Sequence, residues 1–188
     1  ALSRMMAARD WLMADGATGT NLFNMGLTAG EAPELWNVDQ PDNIRKLYQG
    51  AIDAGSDIFL TNTFGGNASR LKLHGGEGQV HEINKVAAEI GREVADASGR
   101  KIVVAGSVGP TGDIMVPMGS LTHESAVEMF HEQAEGLKAG GADVLGVVNG
   151  DRRRAVDLGP PDARSEHLEG LHLSGRGAGA RGCGLRVS

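Results

Sequence analysis

Short apolar runs alternate with amphipathic helical stretches along the first 145 residues. Runs at 11–14, 57–61 and 102–106 each lead into a polar loop, and a fourth run begins near Asp143. Short continuous apolar runs are typical of parallel strands that are buried on both faces, and the stretches between them have the period of helices. The pattern predicts an α/β fold built from repeated units of strand, loop and helix.

Three helices are predicted between these strands. They cover 42–55, 83–99 and 120–141, where aliphatic residues recur every three or four positions and a glycine follows the last of them. Asp42 and Ser120 are the expected N-caps, because short polar side chains accept the free backbone N–H groups of a helix start. Glycine is favoured at the other end because it adopts a left-handed conformation readily.

Two segments of the chain repeat one another. Residues 54–60 read Ala-Gly-Ser-Asp-Ile-Phe-Leu, and residues 139–145 read Ala-Gly-Gly-Ala-Asp-Val-Leu. The recurrence indicates repeated βα units, but glycine before an aliphatic run is common at any turn from helix to strand. The pattern alone therefore leaves a βα barrel and a doubly wound sheet open.

Small polar residues follow three successive strands, at nearly even intervals. The loops read Asp-Gly-Ala-Thr-Gly-Thr from Asp15, Thr-Asn-Thr-Phe-Gly-Gly from Thr61 and Ser-Val-Gly-Pro-Thr-Gly from Ser107. Because the carboxyl ends of parallel strands meet at one edge, these loops predict a shared pocket. Asp15 is the strongest candidate for a ligand's ammonium or hydroxyl group; the alternative is a turn residue that binds its own backbone.

Composition favours a small metabolite over nucleic acid or membrane as the partner. The 188 residues are 40% hydrophobic and carry a formal net charge of −6, with the acidic excess in residues 1–145. No apolar run reaches the roughly 18 residues of a membrane span, and the single cysteine, Cys183, excludes an internal disulfide framework. The six histidines lack a metal-binding spacing and are expected at the surface. The N-terminus lacks a secretory pattern, so a cytoplasmic location is expected.

The character of the sequence changes abruptly at Gly146. From there to Ser188 the chain has no Lys, Ile, Met, Phe, Tyr or Trp, and residues 175–182 have neither the helical nor the strand period. We predict an N-terminal arm at 1–10, a folded domain at 11–145 and a disordered Arg/Gly-rich tail at 146–188. Acidic residues interrupt the tail's basic charge and no aromatic residue offers stacking, which argues against nucleic-acid binding.

Four segments together have a familiar order and spacing. They are Met13–Thr20, Glu34–Asn37 with Pro41 and Asp42, Gly55–Gly65 and Ala105–Gly112. In order and spacing they resemble the homocysteine S-methyltransferase family, which includes the homocysteine-binding module of cobalamin-dependent methionine synthase and betaine–homocysteine methyltransferase. The resemblance covers about residues 11 to 145. It implies the N-terminal half of an eight-stranded βα (TIM-type) barrel, about four βα units.

The resemblance also implies a substrate, a metal and a set of site residues. Such enzymes transfer a methyl group to the homocysteine thiol, giving methionine, and a zinc ion held by three cysteine thiolates activates the sulfur. By position, Asp15 and Gly16 would contact the amino acid moiety, Thr61 and Thr63 would lie beside it, and Ser107 would line the pocket floor. The methyl donor stays open, and cobalamin or folate would take part only through other domains or partners.

The zinc-binding cysteines of the family have no counterparts in this sequence. The family has two adjacent cysteines in a Gly-Gly-Cys-Cys-Gly run, where this chain has only Cys183 between glycines, and Val147–Gly150 lacks the family's glutamate after the fourth strand. We therefore expect a truncated copy, or a shifted reading frame from about Gly146, that does not bind zinc and is inactive alone. The alternative is a non-catalytic half-barrel that acts as an interaction or structural piece and associates through its open sheet edges.

Overall fold

The computed structural model describes residues 2–149 and 152–157. The strands are β1 (Ile58–Leu60), β2 (Val103–Val108), β3 (Val144–Asn149) and β4 (Arg152–Asp157). The helices are α1 (Leu2–Ala8), α2 (Thr18–Asn24), α3 (Trp36–Asp39), α4 (Pro41–Asp53), α5 (Ala68–Leu71), α6 (Val80–Ala97) and α7 (His123–Ala139), with single 3-10 turns at Pro33–Leu35, Lys72–His74 and Glu77–Gln79.

One small sheet runs through the described residues in the order β1-β2-β3-β4. The first three strands are parallel, with Ile58 opposite Val103 and Ala105 opposite Val144. The chain passes from β1 to β2 through α6 and from β2 to β3 through α7. Because parallel neighbours need such a crossover, this arrangement confirms the predicted α/β fold with a parallel sheet.

The helices lie near their predicted places but begin at different residues. Pro41 is the first residue of α4, where Asp42 was the expected cap. The N-cap of α7 is Thr122, not Ser120, and its hydroxyl accepts the N–H of Ser125 at 3.1 Å. Proline suits a first helical position since its missing N–H has no partner there in any case.

The predicted first strand at residues 11–14 is wrong. Only Ala14 forms a bridge, to Ile58, and the side chains of Trp11 and Met13 are 63% and 45% exposed. Met13 accepts N–H groups from Asp57 and Ile58, and Asp15 donates to Ile58. This segment therefore follows β1 along one edge, and no described strand pairs with its other edge to bury it as a central strand.

The composition break at Gly146 falls inside a strand. β3 continues to Asn149 and β4 pairs antiparallel with it, Val144 lying opposite Asp157. Irregular structure was expected from residue 146, so that expectation is wrong for these two strands, which need only backbone groups to pair. β4 also occupies an edge of β3 that was expected to be open. The proposed disorder of the remaining tail concerns residues outside those that the structure describes.

The two faces of the sheet are covered by different parts of the chain. On the outer face, Phe59 and Val104 pack with residues of α4 and α6, and Leu145 packs with α7. Leu137 of α7 approaches β2 closely: a Cβ on Gly106 would lie 2.8 Å from its side chain.

The inner face was expected to be half open to water, and the structure differs. Ile58, Val103, Ala105 and Val144 form a buried cluster there with Leu2 of α1, and four further apolar side chains pack against it: Met5, Met6, Leu12 and Leu60. Residues 2–8, predicted only as an arm, thus form a helix that covers this face. Burying apolar side chains that the strands would otherwise expose is the physical reason for its position.

Candidate functional site

The loops that follow β1 and β2 meet through a set of buried hydroxyl groups. The hydroxyl oxygens of Thr61 and Thr63 lie 2.6 Å apart. Ser107 donates its backbone N–H to the Thr61 hydroxyl at 3.1 Å, and the Thr63 hydroxyl donates to the Ser107 carbonyl at 2.8 Å. The structure therefore brings together three residues that are far apart in the sequence, at the carboxyl ends of two neighbouring strands.

A cavity of about 520 Å³ lies on the inner face of the sheet beside these hydroxyl groups. Its apolar wall includes Leu2, Leu22, Leu60 and Ala105, and its polar wall includes Glu34, Thr61, Asn62, Thr63 and Ser107. Cavities of this size, largely apolar with a few convergent polar groups, are typical of small-molecule sites. Three of the five predicted site residues, Thr61, Thr63 and Ser107, line it.

The other two predicted residues, Asp15 and Gly16, are not among the residues that line the cavity. They lie in the sequence between Ala14 and Thr18, which do line it. The Asp15 carboxylate accepts the backbone N–H of Leu60 at 3.0 Å, so one of its oxygens fastens this segment to β1. Asp15 is half-buried and Gly16 is exposed. The carboxylate thus has a structural contact at the position where a ligand contact was predicted.

Glu34 and Asn62 line the cavity but were not among the predicted site residues. Glu34 is 8% exposed, and its Oε1 accepts the backbone N–H of Gly65 at 2.7 Å. It belongs to the 3-10 turn Pro33–Leu35, so it reaches the cavity from a segment before α3 and not from a strand end. A search for polar residues after strands misses such a residue; only its place in the Glu34–Asn37 motif indicated importance.

Buried hydrogen bonds hold the loop that follows β1 against α4 and the segment before it. Asn62 donates its backbone N–H to the Tyr48 hydroxyl at 2.8 Å, and its side chain donates to the Pro33 carbonyl at 2.7 Å. Asn37 donates in turn to the Asn62 carbonyl at 2.9 Å. Burial raises the pKa of Tyr48 far above its ordinary value; the Asn62 N–H opposes this, and the charge of Asp15 adds to it. The phenol therefore stays neutral and keeps its place in the network.

Two helices hold the same loop from the outer side. Gln133 on α7 donates to the Thr63 carbonyl at 2.7 Å and to the Asn84 side-chain oxygen at 3.2 Å. Asn84 on α6 donates to the Gly66 carbonyl at 2.7 Å. A Cβ on Gly66 would lie 2.7 Å from the Asn84 side-chain oxygen, so glycine is needed for this close approach. The cavity wall is thereby connected to both crossover helices.

The described residues do not fit the zinc site that the family resemblance implies. Among them, no group of three or more His, Cys, Asp or Glu side chains lies close enough to hold a metal ion. The histidines at 74, 81, 123 and 131 are at least partly exposed, as predicted. Cys183 lies outside the described residues.

Comparison with known proteins identifies the family. The sequence model of homocysteine S-methyltransferase matches residues 12–148, most of the chain and all of the cavity wall except Leu2. The chain belongs to the homocysteine S-methyltransferase family. The resemblance inferred from the four sequence segments is thus confirmed.

Two of the proteins that are similar to this chain are methionine synthases. That of Mycobacterium tuberculosis is 32% identical and that of Mycobacterium leprae 30% identical, each over 143 residues. In both cases the match covers 71% of this chain and 12% of the relative. The chain therefore spans about one eighth of the length of these enzymes.

The fold is similar to that of the homocysteine methyltransferase MmuM from Escherichia coli. Its metallated form matches with a TM-score of 0.65 at 24% identity, over 78% of this chain and 56% of MmuM. Its apo form matches with a TM-score of 0.54 at 21% identity. At this identity the likeness concerns the fold alone.

None of the helices in the described part of the chain is long and apolar enough to cross a membrane.

Proposed function

We propose that this chain carries the amino acid-binding side of a homocysteine S-methyltransferase site, and that it binds homocysteine without transferring a methyl group by itself. The observation that supports this most directly is the cavity of about 520 Å³ at the carboxyl ends of β1 and β2. Apart from Leu2, the residues that line it belong to the segment that the family matches, residues 12–148. In this proposal the chain corresponds to the N-terminal half of a βα barrel.

The predicted residues have chemistry that suits the amino acid end of the substrate. The Asp15 carboxylate would attract the ammonium group, with Gly16 allowing close backbone approach. Thr61, Thr63 and Ser107 would line the pocket beside the substrate carboxylate. The hydrogen bonds among the two threonine hydroxyls and the Ser107 backbone hold this wall in place before a ligand arrives, which lowers the entropy lost on binding.

The described residues offer no group of His, Cys, Asp or Glu side chains that could hold a metal ion at the sulfur of the substrate. Three thiolates are needed for the family's zinc ion, and the chain has one cysteine. Without a metal or a base at the sulfur, the homocysteine thiol keeps most of its proton at neutral pH, and the thiolate is the nucleophile. We therefore propose that the chain alone is inactive, as a truncated family member would be, and that cobalamin or folate chemistry would require other domains or partners.

Titration of the isotope-labelled chain with homocysteine, followed by NMR, tests the proposal. We expect millimolar affinity, about 4 kcal/mol, because only the amino acid end is held. The amide signals of Thr61, Thr63 and Ser107 should move. Asp15→Asn should weaken binding, whereas Asp39→Asn, at an exposed position, should not. A wild-type spectrum that homocysteine leaves unchanged would refute the binding claim, and methionine formation from S-methylmethionine by the purified chain would refute the claim of inactivity.

A further inference from the structure

Glu34 is a buried acid in the cavity wall that accepts one hydrogen bond from the protein. It is 8% exposed, and its Oε1 accepts the Gly65 N–H at 2.7 Å. Within the described part of the chain, no lysine, arginine or histidine forms an ion pair with it; the acids that do form such pairs there include Asp42, Asp57, Glu89, Glu93, Asp96 and Asp143.

Asp57 shows how this chain treats a comparably buried acid away from the cavity. Asp57 is 4% exposed and is paired with Arg9 at 2.8 Å and with Arg100 at 3.4 Å. Its second oxygen accepts the Met13 N–H at 3.1 Å. Burying a charge is costly unless a partner of opposite charge or several hydrogen bonds compensate for it. Asp57 has that compensation within the protein, whereas Glu34 has one hydrogen bond from the protein and borders the cavity.

The surroundings of Glu34 favour a ligand as a further partner. The carboxylate borders a cavity whose other polar wall groups are uncharged: Thr18, Thr61, Asn62, Thr63 and Ser107. A cation that enters this cavity would meet Glu34 as the one charged group among the lining residues. Charge-assisted hydrogen bonds are shorter and stronger than neutral ones, and more so where water is excluded.

We propose that Glu34 binds the ammonium group of the α-amino acid that occupies the cavity, an assignment that rests on the proposed homocysteine-binding function. Oε1 keeps the Gly65 N–H, and Oε2 accepts from the ligand's ammonium. An ammonium group has three donors, so Asp15 can share it with Glu34. Glu34 is in this way a specificity-determining residue: it selects ligands that carry a cationic amino group.

A purely structural role for Glu34 makes a different prediction. If the residue served only to hold the loop after β1, a glutamine should replace it fully, because a side-chain amide would still offer an oxygen to the Gly65 N–H. The substitution Glu34→Gln removes the charge and keeps the size. Comparing the affinities of this variant for ligands with and without an amino group therefore distinguishes the two roles.

The experiment measures the affinities of homocysteine and of 4-mercaptobutanoate, which has the same skeleton without the amino group. Wild type should bind homocysteine at least about tenfold more tightly, as the loss of one charge-assisted hydrogen bond implies. Glu34→Gln should lose most of this preference by weakening homocysteine alone, and Asp15 would account for the remainder. Glu31→Gln is the matched control: Glu31 also accepts a backbone N–H, from Thr28 at 2.9 Å, but it is exposed.

The outcomes separate the two proposals. If wild type and Glu34→Gln bind homocysteine equally, the assignment of Glu34 is wrong while homocysteine binding stands. If wild type binds neither ligand, the proposed function itself fails, and this inference with it. If Glu34→Gln does not fold, the carboxyl carbon signal of Glu34 in the labelled wild type decides instead: it should shift with homocysteine and stay in place with 4-mercaptobutanoate, and equal shifts would overturn the assignment.

Discussion

The carboxylate of Asp57, the residue just before β1, accepts the backbone N–H of Met13 at 3.1 Å. Asp143 stands just before β3 and accepts the backbone N–H of Val104 at 2.9 Å in the same way. Each aspartate therefore connects the start of its own strand to the neighbouring segment. The two residues are the aspartates of the repeated segments at 54–60 and 139–145, so the repeat in the sequence reflects a repeated contact between adjacent strands.

Asp57→Asn should destabilise the fold. Burial opposes the charged form, but the Met13 N–H and the guanidinium groups of Arg9 and Arg100 outweigh it, so the pKa of Asp57 is lowered. Asparagine offers one oxygen instead of two and no charge. We expect the free energy of unfolding at pH 7 to fall by about 2 kcal/mol, measured by urea denaturation.

The pH dependence of this effect has a definite sign. A carboxyl group whose pKa is lower in the folded state stabilises the protein above its unfolded pKa of about 3.9, and this contribution is lost as the pH falls through the folded pKa. The difference between wild type and Asp57→Asn should therefore shrink in acid. Asp53→Asn, at an exposed position that accepts from Gln49, is the control. A difference that does not change with pH would show that the charge of Asp57 is unimportant.

Leu2→Ala should destabilise the protein although the residue lies at the beginning of the chain. Leu2 is 3% exposed and packs with Ile58, Val103, Ala105 and Val144 on the inner face of the sheet. Truncating a buried leucine typically costs about 2 kcal/mol or more. Leu73→Ala is the matched control because Leu73 is 71% exposed, and it should change stability by less than about 0.5 kcal/mol. Equal effects of the two substitutions would mean that α1 does not cover the sheet.

Gln133→Leu should loosen the loop that carries Thr63. The substitution leaves the Thr63 carbonyl and the Asn84 side-chain oxygen without the donor that now lies at 2.7 and 3.2 Å. The Thr63 carbonyl keeps the Gly66 N–H, but the Asn84 oxygen becomes a buried acceptor without this donor, at a cost of about 1–3 kcal/mol. Leucine also removes the Gln133 Oε1, which has no partner among the described residues, so we expect unfolding to become easier by about 1 kcal/mol. Hydrogen exchange should accelerate at Gly66, whose N–H now binds the Thr63 carbonyl. Gln49→Leu, on an exposed surface, should leave both measurements unchanged; unchanged exchange in Gln133→Leu would contradict the role given to Gln133.

Metal analysis after dialysis should find much less than one zinc ion per chain. A structural or catalytic zinc site takes four ligands, with at least three from the protein, and the chain has one cysteine. Cys183→Ser should therefore leave the small amount of retained zinc unchanged. A tightly bound zinc ion in wild type that disappears in Cys183→Ser would show that the chain has a metal site of its own.

The sequence by itself determined the parts of this protein that depend on local periodicity. The positions of α4, α6 and α7, the three parallel strands and the polar loops after β1 and β2 all follow from patterns within about 20 residues. The meeting of Thr61, Thr63 and Ser107 could also be anticipated, because parallel strands necessarily present their carboxyl ends at one edge of the sheet.

Only the tertiary structure decided which groups from elsewhere in the chain complete the site. Leu2 reaches the cavity because α1 covers apolar side chains on the inner face, and Glu34 reaches it from a turn before α3. Likewise, β4 forms by pairing its backbone with β3 in a stretch whose composition predicted no structure. These features depend on contacts between residues that are distant in the sequence or on backbone pairing that any composition allows. Local side-chain patterns carry no signal for either.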